Sequence, residues 1–293
     1  MPMEKKKTFT DPYYTYQIFH ESENFKKWKN ENTISFKNYR TNWVKRPTDE
    51  NPGEFPLNLN IEITTKCNLA CTFCYHRELT KEQKIHMDFE LFKKIIDEAK
   101  IYKLPAVNLN GLGEPITHPK LVEMIRYCKD ANIEDIMFHT NGTVMTEKLA
   151  TKLIEAGLTR IIFSLDTTDK KIFEEMRVGA NFEKVNGNVE LFIKTRNKLK
   201  SKLPMVRTTM VLTDKTINQA ESFKKKWENL SDDITAQDLV YSFEDEDQYE
   251  QSNSQDTVTD SMKGLNWKSG EKSYYEIDRK KIIELEKDNK EFF

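Results

Sequence analysis

The chain has 293 residues, enough for one large α/β domain or two small ones, and is 37% hydrophobic and 32% charged. Acids and bases nearly cancel at a formal charge of −2, so no global field favours nucleic acid or an anionic membrane as a partner. The polar start Met1-Pro2-Met3-Glu4-Lys5-Lys6-Lys7 leads into no apolar run, and no stretch approaches ~18 apolar residues. A secretory signal and a membrane span are therefore not expected, and the reducing cytoplasm is the natural compartment for free thiols.

Residues 1–55 are polar and aromatic-rich (Tyr13, Tyr14, Tyr16, Phe19, Phe25, Trp28, Phe36, Trp43), and Pro47, Pro52, Gly53 and Pro56 close the segment. This reads as a lead-in that packs on the main domain, not as an independent fold. Leu57 to Ile63 then alternates strictly, the pattern of a strand with one buried face, and runs into a cysteine-rich loop. Asp88 can cap a helix with apolar positions Leu91, Phe92, Ile95, Ile96, Ala99 and Tyr102, ended by Pro105, and Ala106 to Asn110 is a short strand. Pro119 opens a helix with Leu121, Met124, Ile125 and Cys128 on one face. Strand Ile136-Met137-Phe138 follows, then a Thr146-capped helix stopped by Gly157.

Arg160 to Leu165 is the fourth strand, followed by helices over about 169–177 and 182–199. Met205 to Leu212 is the fifth, a helix carries Ile217, Ala220, Phe223 and Trp227, and Asp238 to Phe243 is expected as the sixth. Six strands alternating with helices imply a parallel sheet with right-handed crossovers, either doubly wound or a partial barrel. The first four strand ends carry, in order, the cysteine loop, Gly111-Leu112-Gly113-Glu114-Pro115, Thr140-Asn141-Gly142 and Ser164-Leu165-Asp166. Ligands gather at the carboxyl ends of parallel strands, so polar residues on successive ends fit a curved sheet with one shared site.

Three of the four cysteines, Cys67, Cys71 and Cys74, fall within eight residues. They offer one metal centre three thiolates and leave a fourth position open, as in an iron–sulfur cluster that activates a small molecule. With His76 they also suit a structural Cys3His zinc site, although no second ligand pair follows later in the chain. The glycines at 111 and 113 let backbone approach a ligand, and by themselves read equally as an ordinary turn. Ser164 and Asp166 offer a hydroxyl and a carboxylate to a ribose diol. Cys128 shares an apolar helix face and reads as core; His118 and His139 read as hydrogen-bonded neighbours of the motifs.

The spacing Cys-x3-Cys-x2-Cys, with Phe73 before the last cysteine, resembles the cluster motif of the radical S-adenosylmethionine (SAM) superfamily. The resemblance covers about residues 57–243. It implies a partial (β/α)6 TIM-like barrel of parallel strands as the core domain over 56–243, with Cys67, Cys71 and Cys74 holding a [4Fe-4S] cluster. The open iron would chelate the amino and carboxylate groups of SAM. One-electron reduction, by a donor such as flavodoxin or ferredoxin, would then cleave the sulfonium to a 5′-deoxyadenosyl radical that abstracts hydrogen from substrate. Gly111, Gly113, Glu114 and Pro115 are similar to the family's Gly-Gly-Glu-Pro motif, with Leu112 inserted, which holds the methionine amino group. Asn141 matches a Thr-Asn-Gly segment lining the cofactor site, and Ser164 and Asp166 match a Ser-Leu-Asp segment. Phe73 and Tyr75 stand where family members contact adenine. Arg177 resembles an arginine that pairs with the methionine carboxylate, and reads equally as a surface residue of a short helix.

Residues 244–260 hold seven acids and no lysine or arginine, which reads as a linker, and 244–293 as a helical or irregular tail. The branch resembled most closely continues into a cysteine-rich SPASM-type extension with auxiliary clusters, but no cysteine follows Cys128. The expectation is a one-cluster member or a truncated product. A ~55-residue lead is short for a peptide-recognition domain, which tilts the substrate towards a carbohydrate or other small metabolite over a peptide. A zinc-stabilised binding module and a fragment without turnover are the alternative readings.

Overall fold

The protein is described by a computed structural model over residues 16–239. Its sheet has seven strands: β1 (Tyr16–Glu21), β2 (Asn58–Asn60), β3 (Ala106–Asn108), β4 (Asp135–Thr140), β5 (Arg160–Ser164), β6 (Met205–Leu212) and β7 (Asp233–Asp238). The order is β1-β7-β6-β5-β4-β3-β2. From β2 to β7 every neighbouring pair is parallel, and only β1 runs antiparallel, against β7. This is the expected six-stranded partial TIM-type barrel, with one added edge strand.

Helices α3 (Phe89–Ile101), α4 (Leu121–Asp130), α5 (Glu147–Glu155), α6 (Lys170–Met176), α7 (Phe182–Lys198) and α8 (Ala220–Trp227) occupy the crossovers. Their starts are set by side chains that satisfy the free N–H groups of the first turn: Asp88 accepts from Glu90 and Leu91, Thr146 from Leu149, Asp169 from Ile172 and Asn181 from Lys184. Apolar faces at helical spacing, such as Phe92, Ile96 and Ala99, meet strand residues Val107, Ile136, Phe138 and Ile161 in one buried core. Each of the larger side chains stabilises the fold by roughly 1.5–3 kcal/mol on burial. Cys128 lies in this core, fully buried.

Alternation sends the other strand residues to the barrel lumen. Val107, Phe138, Val206 and Ile234 face the helices, so Asn108, His139, Arg207 and Asp233 face inward. The lead-in closes this lumen from below. Its helices α1 (Glu23–Asn30) and α2 (Ile34–Thr48) carry Trp28, Phe36, Tyr39 and Trp43, and Phe36 and Tyr39 pack on Ala106 of β3. Weak periodicity conceals two helices and a strand in this segment, because their buried residues are few and mostly aromatic.

Two strand bounds differ from expectation. The pairing of β2 is limited to three residues, because the chain turns into the cysteine loop after Ile63, although Ile61 still donates to Asn108 O at 2.9 Å. The last strand among the described residues is β7, Asp233–Asp238, which starts five residues before the expected strand at 238–243, and residues 240–243 of that expectation lie outside the described residues. The aspartates before and at its start mask it: Asp232 is buried against Arg196, and Asp233 against Arg207. The acidic linker and tail lie outside the described residues. Among the described residues no helix is long and apolar enough to cross a membrane.

Candidate active site

The carboxyl ends of β2 to β5 bring the four sequence motifs together. The cysteine loop is fixed first by backbone: Ala70 N donates to Val178 O at 3.0 Å and Thr72 N to Met176 O at 2.8 Å, tying it to the end of α6. Cys74 N donates to Cys71 O at 3.2 Å, which folds the loop back on itself. Cys71 is buried, and Cys67 and Cys74 are half-buried. Burial pushes the Cys71 thiol up to about 11 against the opposing pull of Arg177, and pushes Cys67 up as well.

The Gly-Leu-Gly-Glu-Pro loop lies directly on the strand that enters the cysteine loop. A Cβ on Gly113 would meet Thr64 O at 2.2 Å and Lys66 O at 2.8 Å, so only glycine fits there. Glu114 N donates to Lys66 O at 2.8 Å, and Pro115 opens a turn of 3-10 helix over Pro115–Thr117. The Glu114 carboxylate faces protein: it accepts from Thr140 Oγ1 and Asn141 N, each at 2.7 Å. Burial raises its pKa despite those bonds. It joins two loops, while the glycine turn before it is held by Glu62, whose Oε1 accepts from Leu112 N and whose side chain lies against Gly111.

Asn141 continues the stitching. Its Nδ2 donates to Asn68 Oδ1 at 3.0 Å, and Asn68 Nδ2 donates to Thr143 Oγ1 at 2.7 Å. Asn68 and Thr143 belong to the site and were missed by sequence reasoning; the available signal was the run of small polar residues inside two motif loops. Ser164 is half-buried at the end of β5, opposite Thr209. Asp166 lies two residues on with φ 61°, in the left-handed region. It is fully buried, accepting from Arg177 Nε at 2.6 Å and Val211 N at 3.2 Å. Its carboxylate is thus an anchor for Arg177, where the sequence suggested a partner for ribose. Arg177 is 6% exposed, which removes the surface-residue reading. Its Nη1 is 4.0 Å from Cys71 Sγ, and its guanidinium carbon is 5.7 Å from the Phe73 ring centre. Phe73 and Tyr75 are half-buried beside Cys74.

Three thiols on one tight loop suit a cluster with one open iron. Among the described residues no three His, Cys, Asp or Glu side chains converge closely enough to hold a single metal ion. His76 is buried with Nε2 unpartnered, and His118 is bonded to Met87 O and Lys120 N.

The comparisons with known proteins agree with this geometry. The chain is 32% identical over 162 residues to a probable GTP 3′,8-cyclase of Methanococcus maripaludis, covering 55% of this chain and 52% of that protein. It is 29% identical over 180 residues to the tungsten-containing aldehyde ferredoxin oxidoreductase cofactor-modifying protein of Pyrococcus furiosus, covering 60% of this chain and 49% of the relative. The chain thus spans about half the length of these relatives. Streptococcus suis SuiB, crystallised with SAM, shares the fold at a TM-score of 0.51 and 21% identity, over 65% of this chain and 42% of SuiB. Residues 61–225 match the model of the Radical SAM superfamily, and the chain belongs to that superfamily, whose cofactors are SAM and a [4Fe-4S] cluster.

Proposed function

We propose that this chain cleaves SAM reductively at a [4Fe-4S] cluster on Cys67, Cys71 and Cys74 and directs the resulting radical at a small polar substrate. The observation that carries the reading is the cross-linking of four strand-end loops around the three thiols, through Gly113, Glu114, Asn68, Asn141, Asp166 and Arg177. When bound, the cluster supplies the electron that splits the sulfonium to a 5′-deoxyadenosyl radical. The chain's own residues bind and orient: the glycine turn from Gly111 to Pro115 offers backbone to the methionine end, Ser164 offers its hydroxyl at the end of β5, and Asn141 braces the loops beside them from a buried position. Phe73 and Tyr75 offer ring surface to adenine.

The lumen supports a small, hydroxyl- or amide-bearing substrate. Its arginines are already neutralised, Arg160 by Asp135 and Arg207 by Asp233. Burial and the neighbouring arginines push His139 down to about 4, so it is neutral at working pH. Asn108 Oδ1 and Asp233 Oδ1 are buried acceptors without a donor, which a hydroxylated ligand would supply. GTP is a second candidate, brought by the relatives named as cyclases.

Anaerobic purification with metal analysis tests the reading. About four iron and four sulfide per chain, lost in the triple Cys→Ala variant, are expected; stoichiometric zinc in a colourless protein would overturn it. Formation of 5′-deoxyadenosine with dithionite and SAM, above the substrate-free rate, is then compared among sugars, GTP and short peptides. Stimulation by peptides alone would overturn the small-substrate reading.

A further inference from the structure

Arg177 is placed as no merely structural cation needs to be. One edge of its guanidinium is committed, Nε donating to Asp166 Oδ2 at 2.6 Å. The other edge reaches the cysteine loop, with Nη1 4.0 Å from Cys71 Sγ and the cation 5.7 Å from the Phe73 ring centre. Asp166 is itself held twice, by Arg177 and by Val211 N at 3.2 Å. Its backbone takes a left-handed φ of 61°, which an aspartate adopts readily and which turns the chain after β5. A buried ion pair of 7% and 1% side-chain exposure thus holds a guanidinium facing the sulfur of one cysteine.

We infer that Arg177 is a positioning residue that donates an N–H to the Cys71 thiolate and thereby raises the reduction potential of the cluster. The inference rests on the proposed function, since it requires a cluster on the three cysteines. A thiolate ligand carries more negative charge after the cluster accepts an electron. A fixed cation and an N–H···S contact in a low-dielectric site therefore stabilise the reduced state more than the oxidised one. Asp166 contributes orientation: without it the guanidinium has no fixed second edge and no reason to face Cys71. Lysine would keep the charge but cannot hold both partners as a planar fork does.

The test is an anaerobic potentiometric titration of the reconstituted full chain without SAM, following the reduced-cluster EPR signal in wild type, Arg177→Gln and Arg177→Lys. The expected result for Arg177→Gln is a lower midpoint, by about tenfold in the reduction equilibrium, which for one electron is about 59 mV. Arg177→Lys falls between the two. Full iron loading of Arg177→Gln with an unchanged midpoint overturns the inference while leaving the proposed function standing. If Arg177→Gln fails to load, the lysine variant decides, with a lowered midpoint as support and an unchanged one as refutation. Failure of the wild type to take up iron and sulfide would sink both.

Discussion

Gly113→Ala is the sharpest test of how the site is built. The added methyl would sit 2.2 Å from Thr64 O and 2.8 Å from Lys66 O, both backbone atoms that cannot rotate away. Relieving the contact means moving the glycine loop off the strand by roughly an ångström, an overpacking cost of about 1–3 kcal/mol. The same movement breaks Glu114 N to Lys66 O at 2.8 Å and Thr117 Oγ1 to Lys66 O at 3.2 Å. Each lost bond adds about 1 kcal/mol. The expected total is therefore about 3–5 kcal/mol. It would be measured as the shift in urea unfolding of the apo protein, alongside iron uptake on reconstitution. Gly187→Ala is the control: it lies in α7 with nothing within 4 Å of the added carbon, and should gain about 0.5–1 kcal/mol from helix propensity. If Gly113→Ala unfolds with the wild-type midpoint and loads fully, the close approach of the two loops is not what holds the cysteine segment.

Other outcomes follow from the same geometry. Cys128→Ala should cost about 1–2 kcal/mol in the core and leave iron content unchanged, whereas loss of iron would mean a ligand set different from the loop cysteines. Phe36→Ala should cost about 3–5 kcal/mol in urea unfolding if α2 is a packed floor; a change under about 1 kcal/mol would show that it is not. Apo stability should fall as pH drops from about 6.5 towards 4, because His139 is held near 4 by burial beside Arg207 and Arg160. In that window the unfolded chain binds a proton that the folded chain refuses. The loss saturates near about 3 kcal/mol at most. His139→Gln should remove that share of the slope, and an identical pH profile would refute the assignment.

What could be read from the residues alone was the local part. The cysteine spacing, the caps at Asp88 and Thr146 and the alternation before the cysteines need only neighbours in sequence, and the helices and most strands follow from them. What could not be read depends on charge compensated across the fold. β7 is preceded by Asp232 and begins with Asp233, which look like loop residues until Arg196 and Arg207 are seen against them. Asp166 reads as a free carboxylate until Arg177, one short helix later, turns back onto it. Glu114 likewise reads as a ligand-facing acid, because nothing local announces that Thr140 and the Asn141 amide will claim both of its oxygens. Asn68 was hidden by its neighbours: beside two cysteines, an asparagine attracts no notice.

The aromatic floor has a consequence for traffic. With Phe36 and Tyr39 seated on Ala106, the lumen is a cup and not a tunnel. Among the described residues the sheet's two ends, β1 and β2, do not pair with each other, which leaves a side slit there. Under the proposed function, a floor of this kind lets an end or a protruding group reach the thiols but offers no path straight through the described barrel. Among the described residues the floor end is shut, so product leaving and the next molecule arriving share the strand-end mouth and the slit.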